Sequence, residues 1–331
     1  MLNLTKLFES FHSPIIKSNE ENLISAIPIP GYEPHRLGKD MHGFPLILLS
    51  VLDDKSRANP APITLDHIAV LHNVECQISG PNGNMEAGKF TIIRCIDGDL
   101  TLQTYFLHIL NTIVVSLNSQ PTSQDVARVI KILVELFRAM TRSPKKSIQG
   151  LWAELYFIAR STQPTILVDA WHVRPEDRYD FSLGNQSIEI KSTSHQVRQH
   201  HFSLEQLHPP LGIEVLIASV FVERTQTGQS LLELLEKIRD HLIDRPDLVL
   251  HLDEIVGLTL GSGWRHALQE RFDDKLAEES LMFYDVATVP SVNPEMPSGV
   301  SNVHFLSDLT ELQTANLFNY RNRGGLFEIS L

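Results

Sequence analysis

The segment YDFSLGNQSIEIKSTS, residues 179–194, constrains the fold of this chain most strongly. The dipeptide Gly184-Asn185 separates two runs in which apolar and polar residues alternate. This pattern is typical of a β-hairpin with a two-residue turn, of type II′ when glycine comes first. Such a turn pairs Phe181 with Ile188, and it therefore fixes which side chains share each face of the hairpin.

Three charged residues lie on one face of the predicted hairpin. Asp180 falls opposite Glu189, and directly opposed residues on antiparallel strands have Cβ atoms about 5 Å apart. Lys191 lies two residues beyond Glu189 and therefore shares its face. Two opposed carboxylates repel each other, and a bound divalent cation removes that repulsion. The alternative is a solvated pair, Glu189 with Lys191, beside an ordinary surface acid, because such spacing arises easily by chance.

The chemistry of these side chains suits a metal site. Oxygen-rich sites with few protein ligands favour Mg²⁺ or Mn²⁺. Asp180, Glu189 and the backbone carbonyl of Ile190 are the candidate ligands. Lys191 can orient a water or stabilise charge that develops on a phosphate. The arrangement is suited to the hydrolysis of a phosphodiester bond.

Helices and strands alternate around the hairpin. The spacings Ser203 to Gln206 and Ser230 to Glu233 match capping boxes and mark the starts of two helices. Hydrophobic periodicity and β-branched runs give the remaining elements. The predicted order is a helix at 148–161, strands at 166–171, 178–183 and 186–192, a helix from about 203, a buried strand at 212–223, a helix at 231–243, and strands near 281–288 and 302–306.

The first half of the chain has a different pattern and predicts a separate α+β unit. The segment TRSPKKS at 141–147 interrupts it and is the candidate linker. We therefore expect two domains, 1–145 and 146–331. The predicted elements of the first are strands at 45–52, 67–78 and 90–97 and helices at 101–117 and 123–140.

Composition limits the classes of function. The net charge of −12 argues against broad electrostatic binding of nucleic acid, although it allows a local basic groove. The two cysteines, Cys76 and Cys95, are far apart, so a disulfide framework and a cysteine zinc site are not expected, and a reducing cytoplasm fits. The N-terminus lacks the pattern of a secretory signal, and the apolar stretch 105–117 is too short to span a membrane.

The C-terminal half resembles the PD-(D/E)XK nuclease superfamily, whose restriction-endonuclease-like fold is an αβββαβ core with a mixed sheet. Asp180 and the run Glu189-Ile190-Lys191 match its acid and E-x-K positions. The stretches GLWAELYFI, YDF, IEIKSTS, RQHHFSLEQL and Gly-x-Ser-x-x-Glu-Leu resemble an uncharacterised bacterial branch called "PD-(D/E)XK motif protein". The proline of the superfamily name is replaced by Tyr179.

The resemblance implies a cytoplasmic, Mg²⁺- or Mn²⁺-dependent endonuclease. Asp180 and Glu189 would be metal ligands, Lys191 the catalytic lysine, and Glu154 in GLWAEL a further acid of the site; an acid on a helix surface is the alternative for Glu154. DNA is the expected substrate, with RNA left open. Members of the branch are expected beside restriction and phage-defence genes, so a homodimer or a defence partner protein is expected too. The rival is a non-catalytic nucleic-acid-binding or assembly subunit on the same fold.

The segment after the hairpin is rich in hydrogen-bond donors that could contact phosphates. Its alternatives are a solvated loop with a capping glutamine and, much less favoured, a histidine zinc site. The predicted nucleic-acid contacts are Ser192, Thr193, Arg198, His201 and Gln206, with His200 as a further phosphate contact. The candidate zinc ligands are His195, His200, His201 and His208.

Overall fold

The structure is a computed structural model that describes residues 2–10, 23–51, 60–79, 85–117, 121–143, 147–173, 177–292 and 297–331. The chain divides into two compact units, Met1–Ser143 and Pro144–Leu331. The predicted domain boundary and much of the predicted linker fall on residues 144–146, which lie outside the described residues. None of the described helices combines the length and the apolar composition that a membrane span requires.

In the part of the first unit that the structure describes, one six-stranded sheet is accompanied by three helices. Three of its described strands, β1, β2 and the two-residue β4, were not predicted from the sequence. The elements are α1 (Leu4–Glu9), β1 (Leu23–Ile29), β2 (Tyr32–Lys39), β3 (Pro45–Leu49), β4 (Ile63–Thr64), β5 (Ile68–Ser79), β6 (Met85–Cys95), α2 (Leu100–Ser116) and α3 (Ser123–Ala139).

The strand order in this sheet is β1-β2-β3-β6-β5-β4, and β1 also pairs in parallel with β5. Among the described strands, β5 therefore has three neighbours, β4 has one, and the others have two. Buried side chains from these strands, among them Leu48, Ile78 and Ile92, form an apolar cluster. Helix α3 begins at a capping box, in which Thr122 and Asp125 each satisfy the other's backbone N–H.

The second unit carries the predicted hairpin. It contains a four-stranded sheet, two further pairs of strands and nine helices within the described residues. The elements are α4 (Ile148–Arg160), α5 (Pro164–Ala170), β7 (Phe181–Leu183), β8 (Gln186–Thr193), β9 (Gln199–Ser203), α6 (Leu204–Leu207), β10 (Glu214–Phe221), β11 (Arg224–Ser230), α7 (Leu231–His241), α8 (Pro246–Leu260), α9 (Trp264–Ala267), β12 (Arg271–Phe272), α10 (Asp274–Ser280), β13 (Met282–Asp285), β14 (His304–Asp308), α11 (Leu317–Arg321) and α12 (Gly325–Ser330).

The four-stranded sheet of this unit is mixed, with the order β13-β10-β8-β7. Strand β8 pairs antiparallel with β7 and parallel with β10, while β10 pairs antiparallel with β13. The six middle residues of β10 are all buried, as its continuous apolar run predicts for an interior strand. Strand β9 lies outside this sheet and pairs with β14, and β11 pairs with β12.

Helix α4 packs against β8 and α7 and is buried along most of its length, from Leu151 to Ala159. Ser147 caps its first turn by accepting a hydrogen bond from the amide of Gly150. The predicted capping boxes of Ser203 with Gln206 and Ser230 with Glu233 are both confirmed. The first of these helices, α6, is only four residues long.

The strand predicted at 166–171 is wrong, because these residues belong mostly to helix α5. Proline at the first position of a helix has the required backbone φ angle, and Pro164 starts α5 in this way. The helix buries Leu167 and Val168, so the apolar run is explained without a strand. The strands near 281–288 and 302–306 are confirmed as β13 and β14.

Candidate functional site

The turn between β7 and β8 has the predicted conformation. Gly184 has a φ angle of +62°, whereas Asn185 lies outside the left-handed region. A positive φ at the first turn residue alone is the signature of type II′. The register follows, and Phe181 pairs with Ile188 as predicted. Both side chains are buried on the core face of the sheet.

Asp180 directly precedes β7 and is tied to the neighbouring strand. Its Oδ2 accepts a hydrogen bond of 2.8 Å from the backbone amide of Ile190. The ladder between β7 and β8 ends at the pair Phe181 and Ile188, so the carboxylate takes the place of a strand partner for this amide. Asp180 is buried, and Oδ1 is the oxygen left to face the other residues of the site.

Glu154 of α4 and His172 lie beside Asp180. Glu154 Oε2 accepts a 2.8 Å hydrogen bond from the indole Nε1 of Trp171 and lies 2.9 Å from His172 Nε2. His172 Nε2 in turn lies 3.5 Å from Asp180 Oδ1. Glu154 is 4% exposed, which excludes the alternative of an acid on a helix surface.

The backbone holds His172 in place from both sides. Its amide donates a 2.9 Å hydrogen bond to the carbonyl of Asp180, and Trp171 forms an isolated β-bridge with Phe181. The carbonyl of Trp171 lies 2.7 Å from the ring Nε2 of His251 on α8. His172 has a φ angle of +42°, a left-handed conformation that costs a non-glycine residue free energy and is maintained by these contacts.

Glu189 of β8 has one engaged and one unengaged oxygen. Oε1 lies 2.7 Å from Lys191 Nζ and accepts a 2.6 Å hydrogen bond from Gln206 Nε2. Oε2 is buried and has no hydrogen-bond partner among the described residues. Glu189 is 4% exposed, so the solvated arrangement considered from the sequence does not occur. A buried carboxylate oxygen without a donor is costly, and a cation would satisfy it.

Gln206 connects α6 to this acid and lysine. Its Oε1 lies 3.2 Å from Lys191 Nζ and also 3.2 Å from the backbone amide of Ser203. The hydroxyl of Tyr179 donates a 3.1 Å hydrogen bond to the carbonyl of Gln206. Burial raises the pKa of Tyr179 to about 12, so the phenol remains a neutral donor at physiological pH. Tyr179, which replaces the proline of the motif, thus anchors α6.

The ligand atoms of Glu154, His172 and Asp180 all lie within 4.8 Å of one another. Across the part of the chain that the structure describes, no other group of three or more His, Cys, Asp or Glu residues meets this condition. The unsatisfied oxygen of Glu189 is a second feature that fits a cation. The donors are carboxylates and an imidazole, a set that suits a divalent metal ion. The Ile190 carbonyl stays a predicted ligand.

The predicted nucleic-acid contacts occupy different environments. His201 is exposed on β9, and Gln206 lies in the site. The Ser192 hydroxyl is half-buried and lies 3.3 Å from Gln149 Nε2. Thr193 is buried, and its Oγ1 accepts a hydrogen bond from the amide of His195.

Arg198 and His200 point into the unit. The guanidinium of Arg198 is buried and donates to the carbonyls of Ser219 and Ser280 and to the Ser219 hydroxyl. His200 Nε2 lies 2.8 Å from the same hydroxyl. Burial, reinforced by the positive charges of Lys191 and Arg198, lowers the pKa of His200 to about 4. Both side chains therefore face the interior of the unit and not the solvent.

The four candidate zinc histidines do not converge. His200 is buried against Ser219, His208 Nδ1 lies 2.9 Å from the carbonyl of Leu204, and His195 and His201 are exposed. They form no metal-binding group among the described residues.

The sequence interpretation missed His172 and Trp171. Trp171 is the last residue of the segment predicted as a strand and His172 follows it, and the bridge from Trp171 to Phe181 that places them beside Asp180 is a tertiary contact. No local spacing reports it. The available signal was Pro164, whose position favours a helix that would end near Trp171.

A mixed α/β unit in which Asp180 meets a strand bearing Glu189 and Lys191 defines a protein of the PD-(D/E)XK class. The chain belongs to the family described as "Putative PD-(D/E)XK family member, (DUF4420)", whose model matches residues 15–310. No curated protein matches the chain, and no solved structure matches it.

Proposed function

We propose that this protein is a metal-dependent endonuclease that hydrolyses phosphodiester bonds, with DNA as substrate and a restriction-endonuclease-like core. The observation that carries the proposal is the state of Glu189. One oxygen of this buried carboxylate is held by Lys191 and Gln206, and the other has no partner among the described residues. Membership of a PD-(D/E)XK family supports the same reaction class.

Asp180 and Glu189, with the Ile190 carbonyl, would hold the cation, and Glu154 lies next to them through His172. A divalent ion such as Mg²⁺ or Mn²⁺ supplies Lewis-acid stabilisation of charge on a phosphate. The protein keeps these ligands in position through neutral donors. The Ile190 amide fixes Asp180, and the Trp171 indole fixes Glu154.

Lys191 places its ammonium group at the edge of this acidic site. Its side chain is 17% exposed, so the charge is partly screened from water while still reachable by a ligand. The ammonium lies 4.9 Å from the centre of the Phe202 ring, which limits its movement. In this position it is suited to stabilise negative charge on the phosphate in the transition state.

DNA contact is proposed for Ser192 and the exposed His201, which follow the acid-bearing part of β8. These residues are few and the net charge is −12, so the electrostatic part of binding would be local. We propose for the whole protein a role in restriction or phage defence, as a homodimer or with a partner protein. The first unit is proposed as an accessory domain.

The proposal is tested with the full chain, incubated with plasmid DNA, linear DNA and RNA in Mg²⁺ and in Mn²⁺. We expect cleavage of DNA that is lost in Asp180→Ala and in Lys191→Ala. Lys275→Ala removes an exposed lysine on α10 and serves as the matched control. Cleavage that survives both site substitutions would overturn the assignment. Nucleic-acid binding without cleavage or metal binding would instead support a non-catalytic binding subunit.

A further inference from the structure

The imidazole of His172 lies between two carboxylates. Its Nε2 is 2.9 Å from Glu154 Oε2 and 3.5 Å from Asp180 Oδ1. Ligand atoms at neighbouring vertices of an octahedron around an ion, each about 2.1 Å from it, lie about 3 Å apart, and those at opposite vertices about 4 Å apart. Both distances from Nε2 fall in this range, and all three ligand atoms lie within 4.8 Å of one another, so the three side chains are close enough to approach one ion.

The cluster is built into the fold. Each carboxylate is buried and has one oxygen fixed by a neutral N–H, from the Trp171 indole for Glu154 and from the Ile190 amide for Asp180. Donors of this kind, outside the ligand shell, orient metal-binding side chains. His172 itself is held in a left-handed backbone conformation.

Glu189 supplies a second and independent feature that points to a cation. Glu189 lies on the strand whose Ile190 amide binds Asp180, and its buried Oε2 has no hydrogen-bond partner in the described part of the chain. The side chain is 4% exposed, so bulk water offers it little compensation.

We propose that His172 is a metal ligand, that it shares an ion with Glu154 and Asp180, and that it makes the site prefer Mn²⁺ to Mg²⁺. Mg²⁺ is bound in proteins through oxygen, whereas imidazole nitrogen suits first-row transition metals. A site with one imidazole among carboxylates therefore discriminates against Mg²⁺. This inference rests on the proposed function, because Asp180 is a metal ligand in both proposals.

The test is pulsed electron paramagnetic resonance of the full-length protein loaded with Mn²⁺. A nitrogen ligand couples to the Mn²⁺ electron spin, and carboxylates and water do not give this coupling. We expect histidine-type ¹⁴N coupling in the unsubstituted protein and its loss in His172→Ala and His172→Gln. His266→Ala removes an exposed imidazole on α9 and should leave the coupling unchanged.

Calorimetric titration provides the matching affinity data. We expect His172→Gln to weaken Mn²⁺ binding about tenfold or more while changing Mg²⁺ binding much less. Mn²⁺ bound without nitrogen coupling in the unsubstituted protein, or coupling that persists in a folded His172→Ala protein, overturns the inference. Absence of Mn²⁺ binding overturns it as well.

The two proposals fail separately. Hydrolysis of DNA or RNA by a protein whose Mn²⁺ shows no nitrogen coupling would refute the role of His172 and leave the nuclease proposal standing. Nitrogen coupling that depends on His172, without hydrolysis of either nucleic acid, would confirm the ligand and refute the nuclease proposal.

Discussion

The backbone amide of Ile190 donates a 2.8 Å hydrogen bond to Asp180 Oδ2. This bond joins the acid that precedes β7 to the strand that carries Glu189 and Lys191. The position of the acid therefore depends on the backbone of β8 and not only on the turn. Asp180 would therefore have two separable roles: one oxygen satisfies a backbone amide, and the charge would hold the proposed metal ion.

Substitutions of Asp180 should separate these roles. Asp180→Ala leaves the buried Ile190 amide without an acceptor and should lower the free energy of unfolding by about 1–3 kcal/mol. Asp180→Asn retains an acceptor oxygen and should cost less than Asp180→Ala. Both should weaken divalent metal binding by at least about tenfold, because both remove the charge. Urea denaturation and calorimetric titration measure the two effects. Equal stability of the two variants would contradict the structural role of this hydrogen bond.

Gln206→Ala should act on turnover more than on substrate affinity. The substitution removes a donor to Glu189 Oε1 and an acceptor from Lys191 Nζ, so both charged side chains lose a fixed position. We expect the kcat of nucleic-acid cleavage to fall about 10- to 100-fold with little change in KM. A rise in KM alone would instead indicate the nucleic-acid contact predicted from the sequence.

The control for this variant is Asp125→Ala. Asp125 has the same place in the capping box of α3, in the other unit, that Gln206 has in the capping box of α6. The Asp125→Ala substitution should lower stability modestly without changing kcat. A similar loss of kcat in both variants would show that the effect of Gln206 comes from general destabilisation.

The pH dependence of stability should contain a contribution from His200. The native pKa of about 4 lies below the ordinary value of 6.5, so the unfolded chain binds a proton more readily than the folded one. This contribution is fully present above pH 6.5 and is lost as the pH falls from 6.5 towards 4. It amounts to no more than about 3 kcal/mol.

Comparison of His200→Gln with His201→Gln isolates this contribution, because His201 is the exposed neighbour on the same strand. Unfolding free energies measured between pH 4 and pH 7 should fall less steeply in His200→Gln than in the unsubstituted protein. The slope in His201→Gln should be unchanged. Identical slopes in all three proteins would contradict the buried, neutral state of His200.

Arg198→Met should destabilise the fold. The substitution leaves the hydroxyl of Ser219 and the carbonyls of Ser219 and Ser280 without their donor, at a cost of about 3 kcal/mol or more. Arg224→Ala removes an exposed ion pair with Glu270 and should cost at most about 1 kcal/mol. The salt dependence of nucleic-acid affinity should be unchanged in folded Arg198→Met. If the affinity of Arg198→Met for nucleic acid depended less steeply on salt concentration than that of the unsubstituted protein, Arg198 would be a phosphate contact after all.

The hairpin was predictable because its information is local. Gly184-Asn185 sets the turn, and the turn sets the pairing of Phe181 with Ile188. The ladder ends at this pair, so the predicted pairing of Asp180 with Glu189 is not part of it, and Asp180 is held instead by the Ile190 amide. The helix α5 was missed because β-branched and apolar residues fit a buried helix as well as a strand. The position of Pro164 was the deciding signal.

The partners of the site were less predictable than its acids. His172 is placed beside Asp180 by the hydrogen bond from its amide to the Asp180 carbonyl and by the bridge of Trp171 with Phe181. The inward direction of Arg198 depends on the pairing of β9 with β14. The hydrogen bond joins residues only eight positions apart, but no regular spacing predicts it, and the pairing joins strands roughly a hundred residues apart in the sequence. Alternation along β9 agrees with the result, since His200 is buried and His201 is exposed, but it gives the faces only once the strand is known.

The central claim is that Asp180 and Glu189 bind a divalent cation beside Lys191. The most direct test is the anomalous scattering of Mn²⁺ in crystals of the full-length protein soaked with the metal. We expect one strong peak at coordination distance, about 2.0–2.3 Å, from carboxylate oxygens of both acids, and no such peak in crystals of Glu189→Gln. A well-ordered site without a peak, or a peak bound only by residues elsewhere, would contradict the account.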